Sequence, residues 1–400
     1  MEIRKKNQRK LLTFATTLAL ALVTGKAALA GNGTPINPHS DNVLTVAVFG
    51  DSPYGTSPTD TSQTQALPAF INSINADPKV DLVLHVGDIH SGKQYCTEAY
   101  DRTVYSLWTG FKNPLIYTPG DNEWTDCHKV GEGGGAYNKT TQQIDYVRDA
   151  QGNLVDYAGG DPIANLELIR SIFFANPGYS LGGRKQQVQS QAKYFDPAYP
   201  TDAKFVENTI WMQSKVLFVT INLPGGSNND TDVWYGAPSP SEAQSKETSE
   251  RTGADLRWLD AAFQTAAAYQ AEAIVIVTQA DMWDSEKGAA HQAKYEPLVQ
   301  SIASHTKAFG KPVLMFNGDS HTYRSDNPLS PTASCTLEGS ASCTSVASIH
   351  PGYDVSNFHR VVVHGSTFPL EWLKLTIDPK ANYTASPNAF DPFTWERIQP

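Results

Sequence analysis

Four short apolar runs in this chain stop on the same dipeptide. Val46–Phe49 runs into Gly50-Asp51, and Leu82–Val86 into Gly87-Asp88. Leu115–Thr118 runs through Pro119 into Gly120-Asp121, and Val313–Phe316 through Asn317 into Gly318-Asp319. Apolar runs without clean alternation read as strands buried on both faces, as in a parallel sheet. A glycine at the exit lets the chain turn sharply. The aspartate then lies beyond the strand's carboxyl end, where open α/β sheets bind ligands. Four carboxylates converging on one edge repel one another, and a bound hard cation with oxygen ligands is the usual remedy. The repeated unit therefore predicts a metal site built from strand-end aspartates.

The first thirty residues read as a secretory signal peptide. A basic start (Arg4, Lys5, Lys6, Arg9, Lys10) precedes an apolar run from Leu11 to Val23, too short to span a bilayer, and Ala28-Leu29-Ala30 offers a small-residue cleavage site. The expected location is secreted or periplasmic, with no membrane span after cleavage. The segment takes six of 31 basic residues and one of 41 acidic residues, leaving 25 against 40, a net charge of −15. Such a balance argues against nucleic acid or an anionic membrane surface as partner. Residues 31–42 form a polar leader expected to be poorly ordered.

Four cysteines in an exported chain read as two disulfides. Cys335 and Cys343 are close enough to staple one loop, so Cys96 and Cys127 pair with each other. That second bridge ties together the loops that follow Asp88 and Asp121. The competing reading, a thiolate metal site, has no CxxC spacing behind it.

Along the chain, Leu67, Phe70, Ile71 and Ile74 fall at helical spacing, as do Val104, Leu107, Trp108 and Phe111. The resulting β-α-β-α-β order implies parallel neighbours. Regularity breaks from about 126 to 209, where glycines punctuate the chain and Ile163–Phe174 is the one convincing helix. This segment reads as a large insertion over the active edge. Strands follow at Val216–Ile221 and Ala273–Val277, and Val361–Val363 with Leu373–Ile377 read as a closing antiparallel pair.

The fourth unit continues as Gly318-Asp319-Ser320-His321 and the third as Gly120-Asp121-Asn122-Glu123. In motif order and spacing, from Val43 to Ile377, the chain resembles the calcineurin-like metallophosphoesterases, a superfamily that includes purple acid phosphatases. Their pattern is an early strand-end Asp, then Gly-Asp, then Gly-Asn-His-Glu, a His after a later strand, and Gly-His-x-His. The resemblance implies an α/β fold, a four-layer α/β/β/α sandwich over residues 43–400 with the large loop insertion. It also implies two metals about 3.5–4 Å apart, sharing a carboxylate, and hydrolysis of phosphate esters. Asp51 matches the first-metal Asp, Asp88 the bridging Asp, and His321 the last His of the final motif.

The departures share a direction. Asp121-Asn122 stands where Asn-His is expected, Gln279 where the later His is expected, and Asp319 in place of the first His of Gly-His-x-His. Pro53 takes the place of a second His in the first motif. The expected ligand set is then Asp51, Asp88, Asp121, Asn122, Gln279, Asp319 and His321, with His90 as a further candidate just past Asp88. Oxygen-rich ligation favours Mg²⁺, Mn²⁺ or Ca²⁺ over Zn²⁺, and iron is the other cation the resemblance suggests, with one or two ions held. Asn122 occupies the place of the family's catalytic His, with Asp121 beside it; an amide donates a hydrogen bond but shuttles no proton. Tyr54 reads as a pocket wall, and His85, inside a strand, as a core histidine. The expectation is metal-dependent hydrolysis of a small or exported phosphate ester by a modified dinuclear site. The alternative is a member of the same fold that binds metal or ligand and turns over weakly. A surface adhesion scaffold is the third reading, and the four Gly-Asp strand ends speak against it.

Overall fold

The computed structural model describes residues 41–229, 231–384 and 386–400. Residues 1–40, on which the expected signal peptide and most of the expected leader fall, and Asp230 and Ala385 lie outside the described residues.

Two sheets face each other. In the first, the spatial order is Ala389–Phe390, Phe393–Ile398, Trp372–Ile377, Leu44–Phe49, Val80–His85, Pro114–Tyr117 and Leu181–Gly182. In the second it is Thr336–Leu337, Arg324–Asp326, Phe358–Val362, Val313–Asn317, Ala273–Val277, Val216–Thr220, Thr209–Gln213 and Gln189–Ser190. Each has a parallel centre. Leu44–Phe49, Val80–His85 and Pro114–Tyr117 pair in parallel, and so do Val216–Thr220, Ala273–Val277, Val313–Asn317 and Phe358–Val362.

Alternation along these strands builds three cores, and hence four layers. Val46, Val48, Leu82 and Leu84 turn inward and meet Phe218, Val275, Val277, Leu314 and Phe316 of the opposing sheet. Their neighbours Ala47, Phe49, Val83, Leu115 and Tyr117 face the other way, onto helices Ser62–Ala76, Glu98–Trp108 and Pro162–Phe173. On the far side Leu217, Val219, Ile274, Ile276 and Met315 receive helices Glu242–Ala268 and Glu296–Phe309. Both faces of the central strands are buried, which is why they read as unbroken apolar runs. His85 sits in the first-sheet core, edge-on to Phe49 and beside Trp108 and Tyr117. Burial pushes its pKa down to about 3.

Two expectations need correction. The closing pair does not exist: Phe358–Val362 lies in the second sheet beside Val313–Asn317, whereas Trp372–Ile377 runs antiparallel to Leu44–Phe49 in the first. Two apolar runs near one end of a chain carry no mark of which sheet each joins. The 126–209 segment is also more than a cover over the edge. Leu181–Gly182 extends the first sheet, Gln189–Ser190 extends the second, and Leu168, Ile169, Ile172 and Phe173 enter the core. Among the described residues, no helix is long and apolar enough to cross a membrane.

Candidate metal centre

The strand-end glycines serve two different purposes. Gly87 takes a positive φ of 104°, the turn expected at a strand exit. Gly120 and Gly318 are needed for close approach: a Cβ on Gly120 would lie 2.0 Å from Asp88 Oδ1, and one on Gly318 would lie 1.9 Å from Asp51 Oδ2. The sharp turn falls instead on the acidic residues and the histidine. Asp51 (φ 51°), Asp88 (φ 58°), Asp319 (φ 73°) and His321 (φ 62°) are all left-handed. Such backbone costs about 1–3 kcal/mol per residue and gathers where a structure holds reactive groups in place.

Three of the expected ligands meet. Asp51, Asp88 and His321 present ligand atoms all within 4.8 Å of one another. Asp51 Oδ1 accepts the Asp319 N–H at 2.9 Å, while its Oδ2 is buried without a hydrogen-bond partner. His321 Nε2 lies 3.4 Å from Asp51 Oδ1 and 3.2 Å from the Tyr54 hydroxyl. Tyr54 is thus a wall with its hydroxyl turned onto a ligand. Asp88 accepts at Oδ2 from Asn122 Nδ2 at 3.0 Å and from Gln279 Nε2 at 3.1 Å. An unpartnered buried carboxylate oxygen beside a second carboxylate and an imidazole is a donor set that suits a divalent cation.

Electrostatics point the same way. Burial raises the Asp51 pKa to about 8, with repulsion from Asp121 and Glu123 adding to it. Burial also raises Asp121 to about 7 and pushes Asp88 and Asp319 well above the usual range, with neighbouring carboxylates reinforcing both. His321 keeps 40% of its side chain accessible to the cleft. Desolvation, then the nearby His364 and Lys287, holds its pKa down to about 4. Its imidazole is neutral near pH 7, the form that ligates metals.

The remaining candidates fare differently. Asp319 Oδ2 accepts the Asp281 N–H at 2.9 Å, and Asp281 is in turn paired with the buried Arg360. Asp121 Oδ1 accepts from Gln279 Nε2 at 2.9 Å. Asn122 donates to Asp88 and lines the cleft. Gln279 does not offer its oxygen inward. That oxygen accepts the Gly225 N–H at 2.6 Å, so the NH₂ faces the carboxylates. The second ligand set therefore does not fit a second metal as the first set fits one. His90 is not brought to the cluster either. It is buried beside Cys96 and Cys127, edge-on to Tyr100, with Nδ1 3.4 Å from the Ser91 carbonyl. The strand-end turn carries it past the metal edge, and its cysteine neighbours are tied up in a disulfide.

Both expected disulfides are present, Cys96–Cys127 with Cα atoms 5.7 Å apart and Cys335–Cys343 at 5.4 Å. The first joins the segments after Asp88 and Asp121. Replacing Cys96 and Cys127 together with Ala is expected to cost about 2–4 kcal/mol, read as a lower midpoint in urea unfolding.

Asp88, Asp121, Asn122, Asp319 and His321 line a cleft of about 370 Å³ that Lys93 and Lys287 also line, both exposed. A second group, Asp126, His128 and Asp232, also comes within 4.8 Å, but Lys129 Nζ already lies 2.5 Å from Asp126 and 2.7 Å from Asp232.

A family model for calcineurin-like phosphoesterases matches residues 44–278. The chain belongs to that family. The match spans the strands that end on Asp51, Asp88 and Asp121 and runs up to Thr278, just before Gln279. Among solved structures, purple acid phosphatase PPD1 from yellow lupin (Lupinus luteus) seeds is similar over 85% of this chain, at 13% identity and a TM-score of 0.37. The chain spans about half of that protein, 50% of its length. Among curated proteins, none matches.

Residues with no motif signal surround the candidate centre. Arg360 and Asp281 brace Asp319 from behind, and Ser320 donates to Asp281 at 2.8 Å. Gly225 orients Gln279. Only Tyr54, three residues past Asp51, stood where a reading of the first motif would look. Trp124, Trp234 and Trp283 are buried, with Arg251 over the Trp124 ring and Arg360 over the Trp283 ring.

Proposed function

We propose that this phosphoesterase hydrolyses phosphate esters using a divalent cation held by Asp51, Asp88 and His321, within a domain running from residue 43 to 400. The observation that carries the reading is the convergence of these three side chains around an unpartnered, buried Asp51 oxygen. A cation there supplies Lewis acidity toward a phosphoryl oxygen and toward water. The chain's own residues set the rest. Lys93 and Lys287 at the cleft offset its acidic floor and favour an anionic ester. Asn122 holds Asp88 by its amide and supplies no proton to a leaving group. Esters with acidic leaving groups, such as aryl phosphates, are therefore the better substrates. Mg²⁺ and Mn²⁺ are the cations that suit the two carboxylates best, and the disulfides suit export to an oxidising compartment.

The test is hydrolysis of 4-nitrophenyl phosphate by chelator-stripped protein with Mn²⁺ or Mg²⁺ added back. Turnover restored by metal supports the reading. Turnover indifferent to chelator overturns it. Metal bound without turnover supports the weaker reading of a binding member of the fold, which the Asn122 position favours.

A further inference from the structure

The carboxamide of Gln279 stands where the family resemblance places an imidazole for a second metal. It is fully buried. Its orientation follows from its partners, since oxygen and nitrogen of an amide look alike. A peptide N–H only donates, so the atom facing the Gly225 N–H at 2.6 Å is the oxygen. The NH₂ then points into the site, with Asp88 Oδ2 at 3.1 Å and Asp121 Oδ1 at 2.9 Å. Both amide protons are committed, one to each carboxylate.

The surroundings hold this arrangement. A Cβ on Gly87 would lie 2.5 Å from Gln279 Cγ, so the side chain is clamped against the second strand exit. A Cβ on Gly225 would lie 2.3 Å from Asp121 Oδ2 and 2.8 Å from Asp319 Oδ1, so that loop's backbone presses on the same two carboxylates. Rotating the amide to offer its oxygen inward would set NH₂ against the Gly225 N–H, donor against donor, in a buried site. Asp121 and Asp319 also stay outside the 4.8 Å group that Asp51, Asp88 and His321 form.

We propose that this chain holds a single divalent cation, and that the Gln279 NH₂, by bridging Asp88 and Asp121, takes the place of a second. The proposal rests on the reading of Asp51, Asp88 and His321 as a cation site. It replaces the modified dinuclear site expected from the sequence.

The test is manganese stoichiometry and electron paramagnetic resonance, which need no turnover. The protein is saturated with Mn²⁺, excess ion is removed, and metal per chain is measured. The wild type is expected to hold one ion per chain and to give the six-line spectrum of isolated Mn²⁺. Gln279→Glu keeps the shape and exchanges the NH₂ for a second carboxylate oxygen. It is expected to raise the content to two ions per chain and to give the broadened spectrum of a coupled pair. Gln279→His, larger in shape change, is the second variant with the same expectation. Two ions per wild-type chain with a coupled spectrum, or both variants folded and still at one ion, overturns the proposal. No bound ion in the wild type overturns the cation reading itself, and the proposal with it.

Discussion

Asp88→Asn is expected to lose the bound cation and to lower kcat/KM by at least about 100-fold, more than the 10–100-fold typical for losing a partner one step removed from a metal. Asp88 is the carboxylate on which the site converges. It sits with Asp51 and His321 on one side and accepts from Asn122 and Gln279 on the other. An amide of the same shape keeps the packing but removes the charge. It also removes a liability, because burial and four neighbouring carboxylates, Asp121, Asp51, Glu123 and Asp319, all disfavour the ionised form of Asp88. The metal-free variant should therefore melt no lower than the metal-free wild type. Metal content, 4-nitrophenyl phosphate turnover and a thermal melt check all three. A variant that loses activity only because it unfolds would contradict this account.

The second large effect is the coupling of stability to pH and metal. The Asp51 pKa is raised in the folded protein from 3.8 to about 8, and that of Asp121 to about 7. Folded carboxyls that bind protons more tightly than unfolded ones add stability that is complete below the unfolded pKa. That stability is lost as pH rises through the folded value. Metal-free protein should thus lose this contribution between about pH 4 and pH 8, and the melting temperature of Asp88→Asn should gain on wild type across that window. A cation reverses the trend, since it replaces the protons and binds best where they have left. At a thousandfold excess over its Kd it should add about 4 kcal/mol. The metal-induced rise in melting temperature should be larger at pH 8 than at pH 5. An equal or larger rise at pH 5 would contradict the assignment.

The sequence shows the layered α/β fold because the central strands are buried on both faces, so their apolar runs are unbroken. It also shows where Asp51, Asp88 and Asp319 fall, because a Gly-Asp strand exit is local in sequence. Two features were not legible. The first is direction: His90 and Tyr54 both lie just past a strand-end Asp, yet only Tyr54 turns back onto the site. The second is which end of an amide faces inward. The Gln279 orientation is decided by Gly225, 54 residues away in the chain, a contact with no periodicity or motif behind it. Sheet assignment after Phe358 failed for the same reason, since partners are chosen by packing across the core.

The most direct measurement is an anomalous difference map from manganese-soaked crystals of the wild-type protein, recorded at the manganese edge. The expected result is one peak bounded by Asp51, Asp88 and His321, with the Gln279 amide between Asp88 and Asp121. A manganese-saturated protein whose peak lies elsewhere, for instance at Asp126, His128 and Asp232 with Lys129 displaced, would contradict the account.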